Sequence, residues 1–115
     1  FGRRNHMTAF DRDAEVVFTD WVNSYTTDNM ASLAEGLKDG TQLLVLVEAL
    51  VKAPAIGPKH PEPKGIFYKT HSLENLDTAL RTIKACGVDV TCSPLQIHDG
   101  DLNSILGLVW KLILH

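Results

Sequence analysis

The sequence is poor in cysteine: of 115 residues only Cys86 and Cys92 are thiols. Such a pair makes no disulfide scaffold, and a gap of five residues fits no common zinc spacing. Both are expected as buried free thiols. A chain of this size without crosslinks points to a reducing compartment, the cytosol. Long apolar runs are also missing. The longest, Ile105–His115, is interrupted by Lys111 and falls short of the roughly 20 residues that span a bilayer, so no transmembrane segment is expected. Nor is a signal peptide expected, since Arg3 and Arg4 lead into Asn5 and His6 rather than an apolar stretch. Positive charge is in deficit, with 11 Lys+Arg against 14 Asp+Glu and a net charge of -3, the reverse of what a dedicated nucleic-acid binder carries.

Catalytic patterns are equally scarce. The chain has no glycine-rich phosphate loop, no nucleophile elbow and no histidine pair at i, i+4. Its five histidines are scattered over loops and helix ends, where His71 and His98 are expected to make local hydrogen bonds at helix boundaries. Asp99-Gly100-Asp101 is not followed by calcium ligands at alternating positions. We therefore expect no enzyme, no metal and no cofactor.

What is present is helical periodicity. A composition of 44% hydrophobic and 22% charged residues suits one globular domain. Residues 1–9 are set apart as a flanking segment in which His6-Met7 has the look of a cloning remnant, and 10–115 form the domain. Val17, Phe18, Trp21, Val22 and Tyr25 recur as one helix face from about Asp13, with Asp11 or Asp13 as cap. A short turn of helix fits Leu33–Leu37. Leu43, Leu44, Val47, Leu50 and Val51 line a helix from Thr41 to Lys52, with Gln42 and Glu48 mainly outside. Pro54, Pro58, Pro61 and Pro63 forbid regular structure across Ala53–Tyr68, a surface excursion that is either functional or mobile, or a passive connector. Ser72 is the expected cap of the next helix, which carries Leu73, Leu76, Leu80 and Ile83 and ends at Gly87. Ser93-Pro94-Leu95-Gln96 opens a small helix that stops near Asp99-Gly100. Asp101 caps the last helix, Leu102–His115. That helix is apolar around most of its circumference and so is expected as the buried hub, with a narrow outer strip of Asn103, Ser104, Gly107 and Lys111. The prediction is an all-α bundle of four main helices plus short connecting ones.

Several blocks in sequence order carry a family resemblance: Phe18-Thr19-Asp20-Trp21-Val22-Asn23, Leu37-Lys38-Asp39-Gly40-Thr41-Gln42-Leu43-Leu44, His71 through Leu80, Gly87-Val88, Ile97-His98-Asp99-Gly100, and Leu106 through His115. Together they resemble a calponin homology domain. The Leu-Gly-Leu-Val-Trp ending resembles the type 1 domain of the tandem actin-binding regions in α-actinin, spectrin, filamin and dystrophin relatives. The resemblance implies Trp21 and Trp110 as core aromatics, Asp39-Gly40 as a sharp turn and Asn75 as a buried or capping polar group. It also implies an F-actin-binding module of a cytoskeletal crosslinker or scaffold, cytoplasmic and normally beside a second such domain. Carried over by position, the actin-contacting residues are Val16, Thr19, Asp20 and Asn23 on the first helix and Asn103, Ser104, Gly107 and Lys111 on the last. Arg3, Arg4 and Arg12 form a basic flank.

This chain departs from the family where binding would occur. Asp11, Asp13, Glu15 and Asp20 against Arg12 leave the first helix at a net -3, which opposes approach to an acidic filament. Asn103 stands where a Lys is usual, and Ile105 replaces a frequent Thr. Weak binding by the lone domain is expected, and the alternative is a regulatory or interaction module with a non-actin partner.

Overall fold

The computed structural model describes residues 9–26 and 29–115, with side chains from residue 13 onward. Its four longer helices are α1 (Ala9–Asn23), α3 (Thr41–Val51), α4 (Tyr68–Ala85) and α6 (Leu102–Leu114), with the short α2 (Leu33–Gly36) and α5 (Pro94–His98) between them. A 3-10 turn, Gly65–Phe67, leads into α4, and no strand occurs among the described residues. The expected all-α architecture is the observed one. Helix α4 packs on α3 and α5, while α6 packs on α1, α2 and α5. Leu33, Leu37, Leu43, Leu46, Leu76, Ile97, Ile105 and Val109 are sealed at the centre.

Local chemistry explains several boundaries. At α5, Gln96 N–H donates to Ser93 Oγ (3.3 Å) and Ser93 N–H donates to Gln96 Oε1 (2.9 Å), a reciprocal cap with Pro94 at the first helical position. Helix α4 ends as expected at Gly87. With φ at +95°, Gly87 lets its own N–H reach Lys84 O (2.9 Å) and Val88 N–H reach Ile83 O (3.4 Å), which satisfies two of the terminal carbonyls.

Other boundaries differ from the sequence expectation. Helix α1 starts at Ala9, so Asp11 and Asp13 lie inside it and neither is the cap. Helix α4 starts a turn earlier than Ser72, which is fully buried inside it with its Oγ unpartnered. The added turn is held by rings: Phe67 stacks on His71 and Tyr68 leans on His98. Asp101 does precede α6, but its carboxylate accepts from Ser104 Oγ (2.9 Å) rather than from a backbone amide. Cys86 is exposed and Cys92 half-buried, so the expectation of two buried thiols fails. Burial pushes the Cys92 thiol above its ordinary range, more than nearby Lys111 lowers it.

The proline-rich excursion proves to be strapped down. Asn75, fully buried on α4, accepts from His60 N–H (2.6 Å) and donates to both His60 O (2.8 Å) and Asp39 O (2.9 Å). Three segments thus meet on one amide. Further along, Thr78 Oγ1 donates to Pro58 O (2.7 Å), and Glu48 Oε2 accepts from Ala55 N–H (2.7 Å) and Lys59 Nζ (2.9 Å). Polar groups of a chain stretch that cannot form regular structure must find such partners. His98 is likewise not local: its Nδ1 lies 2.9 Å from Lys38 O.

Partial burial by itself would raise the Glu48 carboxyl, but the bonds from Ala55 and Lys59 and the lysine charge outweigh it and set the carboxyl below its ordinary 4.5. A carboxylate lowered by folding stabilises the native state above its unfolded pKa, and that contribution is lost as pH falls through the lowered native value. Urea denaturation at pH 7 and pH 4 should therefore show a smaller acid-induced loss for Glu48→Gln than for the parent. Equal losses would mean that Glu48 does not couple the strap to pH.

Candidate functional site

Helices α1 and α6 lie side by side, and the sequence pattern of each decides what the seam exposes. On α1, Val22 and Thr19 point inward, Phe18 and Trp21 are half-buried, and Val16, Val17 and Asp20 face solvent. Val17 and Tyr25, expected on the core stripe, are 59% and 41% exposed. On α6 the buried side is Ile105, Leu108, Val109 and Leu112, and the outer side is Asn103, Gly107, Trp110 and Leu114. Trp110 is 49% exposed and so is not the core aromatic that the resemblance implies. The helix exposes Trp110 and Leu114 as well, which corrects the expectation of a hub showing only a narrow strip of polar and small residues.

Trp110 stacks on Phe18 across the seam, with ring centroids 5.8 Å apart and planes inclined by 16°. Such an offset pair fixes both rings without removing them from the surface. The result is an open apolar groove of about 620 Å³ lined by Ala14, Val17, Phe18, Leu106, Gly107 and Trp110, with Asp13 and Asn103 at its rim. A Cβ added to Gly107 would meet nothing within 4 Å, so that glycine leaves the floor of the groove open.

The eight expected contact residues divide. Asn103 and Gly107 are exposed and line the groove, whereas Val16 and Asp20 are exposed on α1 outside its lining. Thr19 is buried and its Oγ1 donates to Glu15 O (2.7 Å). Asn23 is occupied on both sides of its amide, with Nδ2 donating to Met30 O (2.8 Å) and Oδ1 accepting from Met30 N–H (2.9 Å). Ser104 is turned to Asp101. Lys111 is half-buried, its Nζ donating to Asp89 O (2.7 Å) and Thr91 Oγ1 (3.4 Å), so its charge sits over the loop before α5. Thr19 and Asn23 are thus fold residues, and Ser104 and Lys111 flank the groove. Arg3 and Arg4 lie outside the described residues, as do residues 1–8 of the flanking segment. Arg12 belongs to α1 by backbone, and its side chain lies outside the described ones. Periodicity alone puts Val17, Leu106 and Trp110 in the core rather than the groove, because apolar residues at helical spacing read as core.

Among the described residues no group of three or more His, Cys, Asp or Glu is placed to hold a metal ion, and no helix is long and apolar enough to cross a membrane. The chemistry on offer is contact: an apolar seam with an acidic and amide rim on a small all-helical module. Comparison with known proteins agrees with that class. The calponin homology (CH) domain family model matches residues 12–115, and the chain belongs to that family. Relatives include the erythrocytic spectrin beta chain of Mus musculus, 34% identical over 96% of this chain and 5% of that protein. Alpha-actinin-like protein 1 of Schizosaccharomyces pombe is 35% identical over 84% of this chain and 16% of its own length. Muscle-specific protein 300 kDa of Drosophila melanogaster is 32% identical over 91% of this chain and 1% of its own length. The chain therefore spans a small fraction of each of these proteins.

Proposed function

We propose that this CH domain is an actin-filament-binding module of a cytoskeletal crosslinker or scaffold. In this reading it acts in the cytoplasm, contributes contact rather than catalysis, binds weakly alone and works beside a second CH domain. The observation that carries the reading is the half-exposed Phe18–Trp110 stack, which leaves an apolar groove open between α1 and α6 in a domain whose relatives include spectrin and alpha-actinin-like chains. Burying such a groove releases roughly 25 cal/mol per Å² of apolar area, enough to outweigh a few screened like charges.

Cosedimentation with actin filaments tests it. Saturable pelleting is expected. It should weaken about tenfold in Trp110→Ala, as for a truncated aromatic anchor, and by a similar factor in Gly107→Glu. The second variant adds a carboxylate over open space and leaves the core untouched. Because exposed Asp13 and Asp20 repel an acidic filament, pelleting should hold or rise as salt increases. Pelleting no greater than that of an inert folded protein would end the proposal. The same two aspartates favour one second reading, a non-actin partner with a basic surface, whose binding would instead fall steeply with salt.

A further inference from the structure

The fold stacks two histidines from different segments. His60 lies on the strapped loop and His71 on α4, yet their ring centroids are 3.8 Å apart and their planes differ by 5°. Phe67 stacks on His71 in turn, at 5.5 Å. The stack is tied to the strap itself, because His60 N–H donates to Asn75 Oδ1 (2.6 Å) and His60 O accepts from Asn75 Nδ2 (2.8 Å). The ring of His60 has a second anchor, its Nε2 lying 2.6 Å from Glu74 Oε1. The two side chains are 27% and 46% exposed, so protons from water reach them.

The charges around the stack match one proton and not two. Lys59 is taken by Glu48, Lys64 by Glu62, and Asp77 by Arg81. The Asp39 carboxylate accepts from Thr41. Towards α3, His60 borders a shallow depression shared with the uncharged Thr41, Leu44 and Val45. Lys69 stands two positions before His71 on α4 and so points to another side. Among the described residues Glu74 is therefore the carboxylate that faces the stack, and His71 has only ring partners. An imidazolium on His60 is held by Glu74 and lies over the π-face of a neutral His71. A second imidazolium on His71 would sit 3.8 Å from the first, a range at which like charges oppose each other and partial burial limits screening.

We infer that the His60–His71 stack is an acid-sensitive latch on the strap: it stays closed with no proton or one, and a second proton opens it. Histidine changes charge between about pH 5 and 8. In an opened strap the two rings separate and each takes its proton independently. The closed stack accommodates the first proton and resists the second. Over that second step the open form binds more protons, so acid favours opening. The opening is local: it frees His60 from the Asn75 clasp and Phe67 from the turn that starts α4. It needs no change at the α1–α6 groove and stands whether or not that groove holds a filament.

Hydrogen exchange of the His60 amide, followed by NMR on the whole domain, reads the latch. His71→Phe keeps a flat ring in the stack and cannot take a proton. Parent and variant are compared at the same pH, so that the intrinsic exchange chemistry cancels. Equal exchange is expected at about pH 7.5, and about tenfold faster exchange in the parent at about pH 5. Glu74→Gln leaves the first proton unmatched, so its strap should open at a higher pH than that of the parent. The ring carbon signals of His60 and His71 in the parent provide a readout free of any substitution, and should move in two separated steps. A parent-to-variant ratio that stays constant from pH 7.5 to pH 5 would overturn the inference. So would two rings that titrate together in one simple step.

Discussion

Asn75→Ala should be the most damaging single substitution in this domain, lowering stability by about 3–5 kcal/mol and the melting midpoint by about 10–20 °C. The fully buried amide makes three hydrogen bonds that join the Asp39 turn, the strapped loop at His60 and the middle of α4. Alanine leaves the His60 N–H and two carbonyls without partners in a dry environment, and unsatisfied buried groups cost more than a made bond contributes. Asn75→Asp serves as the control. It retains an acceptor for His60 N–H but aims a carboxylate at two carbonyl oxygens, so it should be no more stable than the alanine variant. Denaturation of both in urea decides the point. A loss under about 1 kcal/mol for Asn75→Ala would mean that the three segments hold together without the amide.

Gly40→Ala ranks next, at about 3–4 kcal/mol. Gly40 sits at φ +81°, where a side chain costs roughly 1–2 kcal/mol. An added Cβ would also come within 2.5 Å of Asn75 Cβ and 2.9 Å of the Leu76 backbone nitrogen, and overpacking of that kind costs about 1–3 kcal/mol. Gly87 supplies the comparison. Its φ is +95°, but nothing lies within 4 Å of the added atom, so Gly87→Ala should show only the backbone cost. If the two alanine variants were equally destabilised, the close approach of α4 to the Asp39-Gly40 turn would not matter. Because Gly40 and Asn75 touch, the double variant should be non-additive.

These two positions separate what the amino-acid sequence makes legible from what it does not. The Asp39-Gly40 turn and a buried role for Asn75 follow from the family resemblance, and the cap at Ser93 and stop at Gly87 follow from local chemistry, because short-range rules govern them. The partners of Asn75 are not legible: His60 and Asp39 are 15 and 36 residues away, and nothing in the local pattern encodes such a meeting. The same distinction applies to the groove. Periodicity locates the outer strip of α6 through Asn103 and Gly107, yet it assigns Val17 and Trp110 to the core. An apolar residue at helical spacing does not reveal whether a neighbouring helix covers it or stops short. Lys111 errs the other way: a lysine reads as solvent-facing, and only the path of the loop at Asp89 and Thr91 brings acceptors to it.

The half-covered Trp110 has a practical consequence. The chain holds two tryptophans, and the other, Trp21, is half-buried against the core and leans on Tyr25. In a Trp21→Phe background a single indole remains, seated at the seam between α1 and α6. Its emission colour depends on how much water reaches the ring, so the domain carries its own optical gauge of whether that seam is occupied.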